Sequence, residues 1–179
     1  KLIPVDCSTL KKDLNAPEEF FKNEENEFQV YIGQWIRLLE CPVPEFSRLA
    51  LDIEVYSPVV TRVPDPRTAS EPIVAASLVD SDGNRRVLVL KRPGIGGGGT
   101  AVPQGVKIEY YDREEDMLIE VFKALLAYPI VLTFNGDSFD LRYLFHRAEK
   151  LGFTRESIPI RLEEVFALLK YGVHIDLYR

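Results

Sequence analysis

The apolar positions along the chain fall into runs of two kinds, one with a period of two and one with a period near 3.6. Leu49, Leu51, Ile53 and Val55 alternate with Ala50, Asp52 and Glu54, which predicts a buried strand over about 47–56. Ile73–Val79 is nearly unbroken in its apolar character, Asp80-Ser-Asp-Gly-Asn84 is a turn, and Arg86–Leu90 returns. These three runs predict an antiparallel meander with the acidic strand first. From Asp112 to about Tyr128 the period changes. Met117, Leu118, Val121, Phe122 and Leu125 form a helical stripe, acids occupy the first turn, and Pro129 ends it. Ile130–Phe134 then predicts a strand covered on both faces. A turn at Asn135–Asp140 leads into a helix over about 138–152 that buries Leu141, Leu144, Phe145 and Ala148, with Gly152 as its C-cap. Ile160–Lys170 is less regular and reads as partly helical, and Val173–Leu177 is a last strand. The order β-β-β-α-β-α-β predicts an α/β fold, a mixed sheet with helices packed on its faces.

Residues 1–45 carry weaker patterns. Pro17–Lys22 suits a helical turn, Phe28–Ile32 alternates like a strand that Gly33 ends, and Trp35, Ile36, Leu38 and Leu39 form an apolar patch. Two prolines in Cys41-Pro-Val-Pro-Glu45 hold that segment extended. It is the expected linker between 1–45 and 46–179. Arg92–Val106 holds six glycines, but no lysine stands in the position that a phosphate-binding loop requires, and no helix start follows directly. A phosphate cradle needs both, so this stretch reads as a surface insertion.

Composition narrows the function. With 46% hydrophobic and 28% charged residues the chain is an ordinary globular sequence. Its net charge of -6 argues against capture of nucleic acid by this surface alone, so contact with a phosphate backbone calls for metal ions or for basic surface elsewhere. Cys7 and Cys41 read as reduced structural thiols, with a bridge left open. No apolar run reaches membrane-spanning length, and no signal-peptide pattern stands at the start, so the expected location is cytoplasmic. The chain begins at Lys1 and ends at Arg179 directly after a strand-like run. The expectation is a fragment of something longer, with an exposed edge and apolar surface that associates with the remainder or with another chain.

Candidate chemistry lies in two acidic segments. Asp52 and Glu54 stand two residues apart on one strand and so project side by side. Burying like charges together is costly unless a cation neutralises them; the competing reading is an amphipathic strand with one wet face. The second segment, Phe134-Asn-Gly-Asp-Ser-Phe-Asp140, sits where a buried strand meets a helix, the place where α/β sheets hold their sites. Asp140 is expected about one turn into that helix. If the two strands are neighbours, Asp52, Glu54 and Asp140 converge, and three oxygen donors suit Mg²⁺ or Mn²⁺. Asp137 or Ser138 reads as the helix N-cap, and Asn135 and Gly136 as residues that the turn requires. His146 and His174 are assigned no role, and Asp176 is left outside the site.

Leu51-Asp-Ile-Glu-Val-Tyr56 followed by Thr133-Phe-Asn-Gly-Asp-Ser-Phe-Asp-Leu-Arg-Tyr-Leu144 resembles the proofreading domain of family B DNA polymerases, archaeal members above all. Asp-x-Glu resembles the first exonuclease motif of that family and Asn-x-x-x-Phe-Asp its second. Val-His-Ile-Asp-Leu-Tyr178 also fits the family's layout. The resemblance runs from about residue 40 to the end, with residues 1–40 in a preceding N-terminal domain. It implies a ribonuclease-H-like exonuclease fold, truncated, and metal-dependent 3′→5′ removal of mispaired nucleotides from a primer end. Asp52, Glu54 and Asp140 would be both catalytic and metal-binding, holding two Mg²⁺ or Mn²⁺ ions, with Asn135 and Phe139 beside the substrate strand. DNA primer-template and the rest of the polymerase chain are the implied partners, and a sliding clamp or small accessory subunits stay open. The third motif of the family, Tyr-x-x-x-Asp, does not occur in the chain, so the fragment alone is expected to be inactive. Two other readings stand beside this one: a free-standing exonuclease of the same fold, and a structural or partner-binding module without turnover.

Overall fold

The computed structural model describes residues 45–58, 63–93 and 101–178. The expected turn at 17–22, the strand at 28–32, the apolar patch at 35–39, both cysteines, most of the linker and the first part of the glycine-rich loop lie outside them. The chain separates into two units, Lys1–Glu45 and Phe46–Arg179, and every element described here belongs to the second.

Six strands form one mixed sheet. β1 (Arg48–Val55), β2 (Ile73–Asp80) and β3 (Arg85–Leu90) make the expected antiparallel meander. On the far side of β3 lies β4 (Val106–Tyr111), which pairs with it in parallel. The sequence reading missed this strand. Its alternation is diluted by Lys107 and Glu109, and its ladder partner supplies the matching charge: Arg86 Nε donates to Glu109 Oε1 at 2.7 Å, which holds Glu109 low, at about 2. β5 (Ile130–Thr133) lies parallel to β1, and β8 (Val173–Asp176) parallel to β5, giving the sheet order β4-β3-β2-β1-β5-β8. β6 (Ile160–Leu162) and β7 (Ala167–Leu169) pair as a small separate hairpin, where partial helix was expected. Each is three residues long, too short to show a period.

Among the described residues, two helices cover the sheet. α1 (Glu114–Ala127) and α2 (Asp140–Lys150) present Met117, Leu118, Val121, Leu141, Leu144 and Ala148 to a core completed by Leu51, Ala76, Leu88 and Val131. Burying a side chain of that size contributes roughly 1.5–3 kcal/mol. α2 ends where Gly152 takes a left-handed φ of 90°. Its N–H bonds to Glu149 O and that of Phe153 to Ala148 O, a Schellman closure that glycine accommodates without strain.

The two helix starts are pinned to the sheet. Glu114 opens α1 and is buried at 7% exposure; its Oε1 accepts the N–H of Ile73 at 2.8 Å. Arg147 of α2 grips the same carboxylate with both ends of its guanidinium, at 2.8 and 2.6 Å, and also donates to Ser70 O. That grip raises the Arg147 pKa further. One turn earlier on α2, the fully buried Tyr143 donates from its hydroxyl to Glu71 O and accepts from Glu71 N.

Candidate active site

β1 and β5 run together only where Arg48–Ala50 face Ile130–Leu132. Past that point the strands part, and the N–H of Ile53 on β1 is taken by a side chain instead of a strand. Asp140 Oδ1 accepts it at 3.1 Å. Asp140 is the first residue of α2, not one turn inside it as expected, so the helix starts in the fork between the strands. Its carboxylate is 3% exposed. Burial pushes its pKa up to about 6, with repulsion from Asp52 and Asp176 adding to the shift and the Ile53 N–H opposing it. Among the described residues, none of the ion pairs includes Asp140.

Asp52 and Glu54 flank Ile53 and occupy the other face of β1. Both are exposed, while Leu49, Leu51 and Ile53 are buried. The strand is therefore amphipathic, with a wet acidic face, and not buried on both sides. Asp52 lies close enough to act on Asp140 through charge. Among the described residues no group of three His, Cys, Asp or Glu side chains stands in an arrangement that could hold a metal ion. The donors are nonetheless all carboxylate oxygens, the ligand type of hard divalent cations. One is fixed and uncompensated, and the other two are on an open face.

The turn between β5 and α2 is tightly specified. Asn135 has a left-handed φ of 64°, a conformation that Asn tolerates better than most residues. A Cβ on Gly136 would lie 2.1 Å from Thr133 Oγ1, so the position admits only glycine without rearrangement. Both residues are what the turn requires. Neither Asp137 nor Ser138 is the N-cap that one of them was expected to be. Phe139 occupies that place without a side-chain cap bond, whereas Asp137 is buried at 5% exposure and its Oδ1 accepts the N–H of Ala167 on β7. Phe139 packs on Tyr143, with ring centres 5.6 Å apart.

Sequence reasoning passed over two residues that build this turn. Asp176, at the end of β8, accepts the N–H of Asn135 at 2.7 Å through Oδ1 and that of Asp137 at 3.0 Å through Oδ2. Burial raises the Asp176 pKa, but bonds from the Asp137, Tyr178 and Asn135 N–H groups outweigh it and bring the group below its ordinary value. The His174 side chain is 3% exposed; its Nε2 is 2.7 Å from Thr133 Oγ1, and its Nδ1 is 2.9 Å from Ala167 O. Both residues alternate with exposed Val173 and Ile175. That alternation was the available signal: on an edge strand, the inward polar positions face something polar.

A family model described as DNA polymerase family B, exonuclease domain, matches residues 1–165. DNA polymerase 1 of Aeropyrum pernix is 43% identical over 162 residues, which cover 90% of this chain and 17% of that protein. DNA polymerase 1 of Saccharolobus solfataricus is 40% identical over 180 residues, covering 100% of this chain and 20% of that protein. The corresponding protein of Sulfolobus acidocaldarius is 35% identical over 179 residues, with the same coverage. The chain thus spans about a fifth of the length of these curated relatives.

Proposed function

We propose a proofreading role for this chain, which belongs to the family B DNA polymerases and matches their exonuclease domain. In this reading it carries the 3′→5′ exonuclease site of a longer DNA-directed DNA polymerase. Asp52, Glu54 and Asp140 hold divalent metal, two Mg²⁺ or Mn²⁺ ions in the complete site. Such ions supply an activated water and the positive charge that stabilises the leaving oxygen of a phosphodiester. The observation that carries the reading is Asp140: a buried carboxylate anchored between Asp52 and Glu54 by the Ile53 N–H, without a cation of its own. A buried charge left uncompensated is expensive, and a metal is the natural counter-ion at such a place.

Asp140 would be the rigid ligand, and exposed Asp52 and Glu54 would supply the other carboxylates that hold an ion between them and the scissile phosphate. Asn135 and Phe139, on the turn that leads to Asp140, would line the path of the primer strand. Partners are DNA with an unpaired 3′ end and the rest of the polymerase. No Tyr-x-x-x-Asp occurs among the 179 residues, and we expect this chain alone not to turn over.

The test is Mn²⁺-dependent degradation of a 3′-mismatched primer–template by the polymerase that contains this chain, by the chain alone, and by the polymerase with Asp52→Ala. Activity confined to the unsubstituted polymerase supports the assignment. One observation favours a second reading. The bond from Asp140 to Ile53 N–H also closes the open edge of β1, a structural task that needs no catalysis. A polymerase that binds the primer end and never trims it would establish that alternative.

A further inference from the structure

Asp176 is an odd choice for its position. It places a second negative charge near Asp140, where the electrostatics already work against an acid. Its hydrogen bonds explain the choice. Two N–H groups of one turn, those of Asn135 and Asp137, point at β8 and need two acceptors. A carboxylate offers both, whereas a carboxamide offers one acceptor and would set an NH₂ group against the other N–H. Between the two bonded amides, Gly136 lies against Thr133, whose residue is the ladder partner of Asp176. The turn therefore has little freedom left on the β8 side. Two residues after Asp137 comes Phe139, and then α2 begins with Asp140.

We propose that Asp176 is a positioning residue, which fixes the start of α2 by holding the Asn135 and Asp137 amides and so seats the Asp140 carboxylate on the Ile53 N–H. The path runs from β8 to the turn by hydrogen bonds of 2.7 and 3.0 Å, along the main chain from Asp137 to Asp140, and on to β1 by a hydrogen bond of 3.1 Å. That this positioning serves catalysis rests on the reading of Asp140 as a metal ligand; the mechanical coupling between Asp176 and Ile53 does not.

The coupling can be read without any metal, by amide hydrogen exchange on the full chain followed by NMR. Asp176→Ala should speed exchange about tenfold or more at Asn135, Asp137 and Ile53, as expected when a hydrogen bond is lost locally, while amides within β3 stay protected. Asp140→Ala should free Ile53 alone. Faster exchange at Asn135 and Asp137 with Ile53 still protected would mean that Asp176 holds only the turn, and would overturn the proposal. If Asp176→Ala also loses protection in β3, the milder Asp176→Asn decides by the same comparison. Added Mn²⁺ separates this inference from the functional reading. Broadening of the Ile53 resonance should need about tenfold more Mn²⁺ in Asp176→Asn than in the unsubstituted chain. If Mn²⁺ broadens nothing even in the unsubstituted chain, the metal assignment fails while the exchange result still stands.

Discussion

α1 and α2 begin in the same way and to opposite effect. Each opens on a buried acid, Glu114 or Asp140, and each acid accepts a backbone N–H from the sheet, that of Ile73 or Ile53. The helix dipole favours an acid at both places. Glu114 meets the two-pronged guanidinium of Arg147, and the result is a neutral, closed structural joint. Asp140 meets no cation among the described residues; burial pushes its carboxyl up to about 6, and Asp52 and Asp176, both of its own sign, add to the shift. Local construction is thus the same for the two acids; the sign of what surrounds them is not.

The difference can be broken first at Arg147. Arg147→Ala leaves Glu114 buried without its partner, and removing one side of a buried pair costs about 3 kcal/mol or more. The midpoint of urea unfolding should fall accordingly with little change in slope. An effect near zero would place the joint among weak surface pairs.

At Asp140 the expectation concerns pH. The folded-state pKa, about 6, lies above the ordinary carboxylate value of 3.8, so the native state holds its proton more tightly than the unfolded chain. The associated stability is present below about pH 4 and is lost as pH rises through about 6. The whole loss is on the order of 3 kcal/mol. Unfolding at a series of pH values should show it, Asp140→Asn should flatten this component, and Mg²⁺ at neutral pH should restore part of it. A slope of the opposite sign would remove the contrast with Glu114.

The smallest effect belongs to Tyr143→Phe, which removes the two hydroxyl bonds to Glu71 beside the Arg147 joint. It should cost about 1 kcal/mol and leave the Ile53 amide unchanged. Movement at Ile53 would show that the two helix starts are coupled.

Much of this was legible in the sequence. The meander, both long helices, β5 and β8 follow from periodicity, and Asp52, Glu54 and Asp140 stand out because acids interrupt or end apolar runs. β4 escaped because its charged positions, Lys107 and Glu109, sit among half-buried ones. The β6–β7 hairpin has too few residues to show a period. Asp137 read as a cap because caps are local, while the Ala167 N–H that it accepts lies 30 residues on. Asp176 was passed over because the turn amides that it holds lie 41 and 39 residues earlier. Pattern reports which face a residue takes. It does not report which distant amide that face will meet.

The bonds that seat Asp140 and its turn end on main-chain amides: Ile53 N, Asn135 N and Asp137 N. An amide is present whatever side chain accompanies it, proline excepted. Mutational drift at Ile53 can therefore reshape the core beneath β1 while the alignment of the acids persists, so long as an apolar, strand-forming residue remains. Alignment is vulnerable at the acceptors instead. In a library of variants, position 53 should tolerate Val and Leu and reject Pro, whereas Asp140 and Asp176 should tolerate almost nothing.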